Sequence, residues 1–508
     1  MKPPASRHRA ARPMPGVLVP GMLVLGVLAA AGLAGGCTVG PAYHAPAPDV
    51  PAAWHDPAGS DAAAARAADP AWWRRFGDPV LDGLVARATA GNPAFLQTIA
   101  RIAQARAQEQ AQRAAGLPSL TGSALYTRER LGEAGLFTAL GSGQPGAAGQ
   151  PGFAGGIGGL AQGLDLYQVG FDASWELDLF GRVRRAVEQA HAQLQAQLEA
   201  SRDALLTLQG DVARAYLQVR AGQALRAQAA ILATARARAL DLTRIRRAQG
   251  LADDTELDQA RAALLQAQAQ TPQLDQQVAQ ATNRLAVLTG QAPGTLAAAL
   301  QAALAAPAPL PALPDRVAIA LPAAITRRRP DIRQAEASLH AATAETGVAV
   351  AQLYPDITLS GQVGQRSLTL PDLAQWANTF YQFGPAISLP LFSGGRLRAG
   401  VALARARQRE AALAYRQAVL TALQQVEDEL AALRTDRDTQ ARDAAAVGVA
   451  AGRLDLARVR YRDGIGDALA VQDGVAALAA ARQDDVRARL QVLLDAVALY
   501  KAMGGGWE

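Results

Sequence analysis

The sequence predicts a mainly α-helical chain with transmembrane β-strands, built from one strand–helix unit used twice. Three observations carry this expectation. The two halves repeat one another in fixed register, short segments alternate apolar and polar residues, and long proline-free segments place apolar residues at heptad spacing. The composition agrees: of 508 residues, 50% are hydrophobic but only 5% are aromatic and 19% charged. Alanine and leucine supply most of the apolar share, which suits long, closely packed helices more than a bulky mixed core.

The repeat is read from matched landmarks. Asn92-Pro93 recurs as Arg329-Pro330 and Leu117-Pro118 as Tyr354-Pro355, both at an offset of 237. Further on the offset is 214: Tyr167-Gln168-x-Gly170 matches Tyr381-Gln382-x-Gly384, Arg182-Val183-Arg184 matches Arg396-Leu397-Arg398, Gly250 matches Gly464, and Gly290 matches Gly504. The difference of 23 residues is a longer Gly-rich loop in the first copy, between Arg130 and Leu166. A register held over so much chain marks an internal duplication.

The strands come from alternation. Val169, Phe171, Ala173, Trp175, Leu177 and Leu179 are apolar, and the residues between them are small or polar. The second copy repeats this at Tyr381, Phe383, Pro385, Ile387 and Leu389, and weaker alternation runs from Leu120 to Tyr126 and from Ile357 to Val363. Strands of about 10 residues with one apolar face fit a transmembrane barrel wall. Asp172, Glu176 and Asp178 share the other face, which favours a water-filled lumen over a soluble sandwich.

The remainder reads as helix. No proline occurs between Pro151 and Pro272, nor after Pro390. Arg182 to Gln249 spans 68 residues, about 100 Å as one helix or as two stacked ones. Leu274, Val278, Ala281, Leu285 and Leu288 form a heptad seam in the returning arm, as do Val486, Leu490, Leu493, Val497 and Tyr500. Gly250 and Gly464 mark the reversals. Arg244, Arg246 and Arg247, or Arg458, Arg460 and Arg462, precede them and complement a helix C-terminus. Asp253, Asp254 and Asp467 are the candidate caps of the following helices.

The N-terminus explains most of the charge. Lys2, Arg7, Arg9 and Arg12 precede an apolar run from Val17 to Leu33, and Ala34-Gly35-Gly36 leads to Cys37, the only cysteine. This pattern is a lipoprotein signal peptide, with Cys37 as the lipidated mature N-terminus. Cleavage would remove four positive charges from a net +6, leaving +2. No long basic run remains to track a phosphate backbone, so nucleic acid is not an expected partner. One cysteine excludes a disulfide framework, and His8, His44, His55, His191 and His340 have no metal-ligand spacing. No nucleophile elbow or phosphate loop appears, so no enzyme and no cofactor beyond the covalent lipid are expected.

Four strands cannot stand alone in hydrocarbon, because their open edges leave backbone groups unpaired. Two chains would supply eight strands and a lumen filled by side chains; three would supply 12 and leave a channel. The polar inner face favours three. The expected fold is a homotrimeric 12-stranded outer-membrane β-barrel continuous with a long periplasmic α-helical coiled-coil barrel.

Ordered motifs also resemble a known family, the outer-membrane factors (TolC-like superfamily) of tripartite efflux systems, in their NodT/OprM-like lipoprotein branch. They are Cys37-x-x-Gly40-Pro41-x-Tyr43, Trp72-Trp73-x-x-Phe76-x-Asp78-Pro79-x-Leu81, Trp175-Glu176-Leu177-Asp178-Leu179-Phe180-Gly181-Arg182, Arg329-Pro330-Asp331-Ile332 and Leu389-Pro390-Leu391-Phe392-x-Gly394-Gly395-Arg396. The resemblance implies an exit duct in the outer membrane, lipid-anchored and extending into the periplasm, that exports small molecules such as drugs. Its implied partners are a periplasmic adaptor and an inner-membrane pump of the RND type. It places adaptor docking at the turns Gln249-Gly250-Leu251 and Asp463-Gly464-Ile465, and a periplasmic constriction at Asp473, Tyr461 and Glu256. Some relatives carry a basic residue two positions after the turn glycine, where this chain has Gly466.

The expected layout is a leader (1–36), a lipidated tether (37–79), a first repeat (80–290) with its hairpin at about 120–179, a Pro/Ala-rich connector (291–326), a second repeat (327–504) with its hairpin at about 356–391, and a tail (505–508). The competing reading is a lipid-anchored periplasmic coiled-coil adaptor without a pore.

Overall fold

A computed structural model describes residues 38–55, 71–129, 164–296, 298–306, 308–313 and 319–505. The leader, the lipidation site Cys37 and most of the Gly-rich loop lie outside the described residues. The chain divides into two compact units. One holds residues 38–40 with Pro118–Arg184 and Val350–Leu391; the other holds Pro41–Leu117, Arg185–Ala349 and Phe392–Glu508.

The first unit is a sheet of four antiparallel strands in the order β1 (Ser119–Glu129), β2 (Leu164–Glu176), β3 (Asp356–Ser367) and β4 (Thr379–Ser388). The pairs Gly122↔Phe171, Phe171↔Val363 and Val363↔Tyr381 run across one face. Ala173, Gly361 and Phe383 join that face, as do Trp175, Leu359 and Pro385. The opposite face carries Thr121, Asp172, Gln362 and Gln382 in one row. The alternation is thus realised as an apolar and a polar side.

One expectation changes here. β2 ends at Glu176, so Leu177 to Leu179 are not strand, although the Leu177 amide still donates to the Ile357 carbonyl at 2.8 Å. Asp178 instead accepts the Arg184 amide at 2.9 Å and pairs with its guanidinium at 3.3 Å. Glu176 pairs with Arg182, whose Nε donates at 2.8 Å. Of the three acidic residues, Asp172 alone stays on the polar face without a cation, accepting the Ser123 hydroxyl at 2.9 Å. The carboxylates that looked like lumen charge are drawn to arginines and to a helix start, where free amides favour them.

The second unit is helical. α1 (Pro79–Gly91) and α2 (Pro93–Ala114) precede the first hairpin, and α3 (Arg182–Ala248) and α4 (Asp254–Leu288) follow it. α5 (Ala298–Ala305) and α6 (Pro322–Arg328) form the connector, α7 (Pro330–Ala351) leads to the second hairpin, and α8 (Arg396–Arg462) and α9 (Ala468–Ala502) close the chain. α3 is one continuous helix of 67 residues, matched in length by α8, and α4 and α9 are 35 residues each. Pro272 lies inside α4 without ending it.

Both seams face inward. Leu274, Ala281, Leu285 and Leu288 are buried in α4, and Leu493, Val497 and Tyr500 in α9. They meet an aromatic anchor from the N-terminal segment: fully buried Trp72 stacks on Tyr500 at 5.3 Å between ring centroids, and the Trp54 indole donates to the Ala320 carbonyl at 2.8 Å. Buried Arg220 of α3 ends the connector helix. Its guanidinium donates to the carbonyls of Ala303, Leu304 and Ala306 at 3.0, 3.2 and 2.8 Å, at the helix C-terminus where carbonyls lack intrahelical partners, and the Gln223 side-chain amide also donates to Leu304. The Arg220 Nε also donates to the Tyr216 hydroxyl, which bonds Asp78, the cap of α1.

The reversal glycines and the glycines that end the returning helices share a left-handed backbone but not the same surroundings. Gly250 has φ +72° with open space where a Cβ would stand. Gly290 has φ +76°, and a Cβ there would lie 2.1 Å from the Gly91 carbonyl oxygen. Gly250→Ala is therefore expected to cost only the left-handed strain, about 1 kcal/mol. Gly290→Ala adds a backbone clash and is expected to cost about 3 kcal/mol. Melting temperatures of the two variants in detergent check the ordering.

Candidate functional site at the helix reversals

Each long helix ends in the same motif. After α3, the Leu251 amide donates to the Arg246 carbonyl at 2.8 Å and the Gly250 amide to the Arg247 carbonyl at 2.9 Å. After α8, the Ile465 amide donates to Arg460 at 2.9 Å and the Gly464 amide to Tyr461 at 3.2 Å. These paired bonds, with φ +72° and +77° at the glycines, satisfy the last carbonyls and turn the chain within a few residues. Asp253 caps α4 by accepting the Glu256 amide at 2.8 Å, and Asp467 caps α9 by accepting the Leu469 amide at 3.0 Å. Asp254 is not a cap; it pairs with Arg247 at 2.5 Å.

The tips are apolar and uncovered. Leu251 is 64% exposed and Ile465 77%. Gln249, Gly250, Asp463 and Gly464 are exposed beside them. Arg246 reaches Asp467 at 3.6 Å, so the first reversal is tied to the second by an ion pair. Gly466 is fixed by space: a Cβ there would lie 2.9 Å from the backbone of both Arg460 and Tyr461. The position two residues after the turn glycine is thus closed to a side chain by the turn itself.

The three constriction candidates stand apart. Asp473 on α9 accepts from Arg236 of α3 at 2.8 Å. Tyr461 is exposed in the last turn of α8, and Glu256 is exposed in the first turn of α4. Among the described residues, no hydrogen bond or ion pair joins either of them to Asp473. The packing near the Arg236–Asp473 pair is a small cluster of Leu232, Ala235, Ala267, Ala476 and Ala479. The resemblance pointed to Asp473 but not to Arg236, because 237 residues separate them and only the packing of α3 on α9 brings them together.

Asp495 was also missed. It lies on α9, only 4% exposed, and its Oδ1 accepts the Gln491 amide group at 2.8 Å. Burial first, then the Asp436 carboxyl on α8 and the charge of Glu429, push its pKa up to about 7. Burial likewise raises Asp203 and Glu429. A pattern of spacing gives no signal for it, since an aspartate on a heptad helix usually faces water. Among the described residues no group of three His, Cys, Asp or Glu side chains is placed to hold a metal.

The folded value of Asp495 lies above the ordinary 3.8, so folding takes up a proton between the two. The contribution of Asp495 to stability is therefore full below about pH 4, falls as the pH rises toward 7, and levels off above it. Asp495→Asn is expected to flatten part of that slope and to melt higher than the unmodified protein at pH 8. Circular dichroism melts across this range check it; an unchanged slope would remove Asp495 from the account.

The chain belongs to the outer membrane efflux protein family, whose pattern matches residues 84–291 and 321–505. It is 33% identical to the outer membrane protein OprJ of Pseudomonas aeruginosa over 456 residues, covering 88% of this chain and 90% of that protein. It is 32% identical to the solvent efflux pump outer membrane protein SrpC of Pseudomonas putida, over 85% of this chain and 87% of that one. Among solved structures, the outer-membrane channel OprN matches with a TM-score of 0.79 at 29% identity, covering 93% of this chain and 100% of that chain. The open-state MtrE channel of Neisseria gonorrhoeae matches at 0.77 and 27%, covering 93% and 99%. The family is one of outer-membrane efflux channels, which are not enzymes and need no cofactor.

Proposed function

We propose that this chain is the outer-membrane exit duct of a tripartite efflux pump, working as a trimer with a 12-stranded barrel and a periplasmic helical barrel. The observation that carries the reading is a four-stranded sheet with one apolar face and, among the described residues, two unpaired edges, attached in sequence to two matched helical hairpins. Such a sheet needs further copies to close, and three copies leave a lumen. The equal element lengths at the offsets of the sequence repeat support an internal duplication.

Cys37 carries the lipid that holds the mature chain to the outer membrane. The exposed tips at Gln249-Gly250-Leu251 and Asp463-Gly464-Ile465 receive a periplasmic adaptor, which links the duct to an inner-membrane pump of the RND type. The exported compounds are small molecules; apolar solvents and drugs are the favoured class, since relatives include the solvent pump protein SrpC and the toluene pump protein TtgI. Asp473, with Tyr461 and Glu256, lines the constriction at the periplasmic end. Three Asp473 carboxylates about an axis would attract cations, and each is partly neutralised by its Arg236.

The test is a pair of opposite substitutions in planar bilayers. Asp473→Ala is expected to raise single-channel conductance and weaken block by divalent cations. Arg236→Ala, which leaves the carboxylate unpaired, is expected to strengthen that block. Equal block in both variants and the unmodified channel would remove Asp473 from the constriction. A soluble periplasmic monomer after Cys37→Ala, with no pore in bilayers, would instead favour the adaptor reading.

A further inference from the structure

The four strands carry two arginines and no lysine among the described residues. Arg128 lies on the apolar side, in line with Tyr126, and pairs with Asp165 at 3.6 Å. Arg366 lies on the polar side, in the row Gln168↔Arg366 at the end of β3. Alternation along the pleat therefore leaves Arg366 as the one cation of the polar face among the described strand residues. The chain joins the helices at the other end of the sheet, at Ser119, Glu176, Asp356 and Ser388. Asp172 stands four residues along β2 from Gln168, about 13 Å nearer that helical end.

The guanidinium is held in place without a carboxylate. Its Nε and Nη2 donate to the Gln168 side-chain oxygen at 3.0 and 2.8 Å, and its central carbon lies 4.7 Å from the centre of the Phe380 ring. Phe380 is paired with Gly364, and a Cβ there would come within 3.2 Å of the ring, so the glycine leaves the ring its room. Gln168 takes one edge of the guanidinium and Phe380 one face. The second edge, Nη1 with Nη2, meets no acceptor among the described residues, and Arg366 is exposed. Two parallel N–H groups on that edge match the two oxygens of a carboxylate. A side chain already fixed at two points loses little rotamer freedom when it binds.

The arrangement occurs once per chain. The repeat offsets of 237 and 214 put Glu129 at the counterpart of Arg366 and Leu166 at that of Phe380, so the first copy has neither the fork nor the ring. Glu129 pairs with Leu164, four residues beyond Gln168 on β2. It is therefore at least about 13 Å from the guanidinium, farther than the Debye length of about 8 Å in physiological salt. Resting on the exit-duct reading above, we propose that Arg366, positioned by Gln168 and Phe380, is a binding site for small organic carboxylates on the lumen wall at the loop end. Solutes that have passed the Asp172 row meet a cation of opposite sign before they leave. The site is open to water, so it holds them weakly enough to release them, as conduction requires. The duct then passes organic acids as well as apolar solvents.

Benzoate and benzamide, alike in shape and different in charge, test the site in planar bilayers at constant ionic strength. Benzoate is expected to lower the unitary current of the unmodified channel, and benzamide to leave it unchanged. Arg366→Gln is expected to raise the half-blocking benzoate concentration about fivefold, the most that one exposed ion pair contributes. Arg366→Lys keeps the charge without the planar fork and is expected to lose nearly as much. Gln168→Leu frees the guanidinium and is expected to lose part of the block; these two variants carry the comparison should Arg366→Gln fail to insert. Equal benzoate block in the unmodified channel and all three variants would overturn the site. Full block retained in Arg366→Lys would overturn it too, since charge alone would then suffice. Unitary currents insensitive to benzoate would overturn the site and leave the exit-duct reading standing, whereas no unitary currents from the unmodified protein would overturn both.

Discussion

The constraint on which the molecule depends is the pairing of backbone amides and carbonyls at the two edges of a four-stranded sheet. Among the described residues, β1 and β4 each present one side of their backbone to no strand of the same chain. In hydrocarbon every such group costs several kcal/mol, a cost that the proposed oligomer removes by pairing the edges. The alternation of side chains follows from the same demand. An apolar face backed by Asp172, Gln362 and Gln382 suits a wall with hydrocarbon on one side and water on the other. The Arg182–Glu176 and Arg184–Asp178 pairs then settle charge where strand passes into helix.

Within the helical unit one device is used twice with different chemistry. Asn92, the cap of α2, donates its side-chain amide to the Leu288 carbonyl at 2.9 Å. Its counterpart Arg329, just before α7, donates to the Ala502 carbonyl at 2.8 Å, and Ala502 stands 214 residues beyond Leu288. A neutral amide and a guanidinium thus make the same tie between the start of one helix and the last turn of another. Arg329 also pairs with Asp331 at 2.7 Å, which compensates the charge that Asn92 does not carry. The tie recurs while the residue does not, as expected when geometry constrains a position more tightly than charge.

Much of this was legible before any coordinates. The heptad residues, the reversal glycines and the alternating strands each follow from a local period or a single backbone requirement, and such signals lie within a few turns of one another. Gly250 and Gly464 sit where the paired amide bonds need a left-handed residue. What spacing did not reveal depends on packing between distant segments. Arg236 neutralises Asp473 because α3 lies against α9, and Arg220 ends α5 because the connector crosses α3. Whether the 68-residue proline-free segment was one helix or two was open in the sequence; buried Val212, Tyr216, Leu225 and Ala229 show that its middle is packed throughout, which favours continuity. Asp172, Glu176 and Asp178 looked alike in sequence and separated only when two arginines at the start of α3 found two of them.

The two ends of the helical unit are held by different forces. Near the connector, Trp72, Tyr500, Leu285 and Leu499 are almost wholly removed from water in a large cluster, where each large side chain contributes about 1.5–3 kcal/mol. At the reversals the apolar cluster is mostly alanine, and the remaining ties are the ion pairs Arg236–Asp473, Arg246–Asp467 and Arg247–Asp254. Exposed pairs of this kind contribute about 0–1 kcal/mol each and weaken further with salt. Local opening follows the least stable packing. The reversal end is therefore the one expected to open first while the aromatic cluster stays packed, and the proposed adaptor at Leu251 and Ile465 would compete against only a few small terms. In the proposed exit duct, that unequal distribution of packing would let one end open while the other stays assembled.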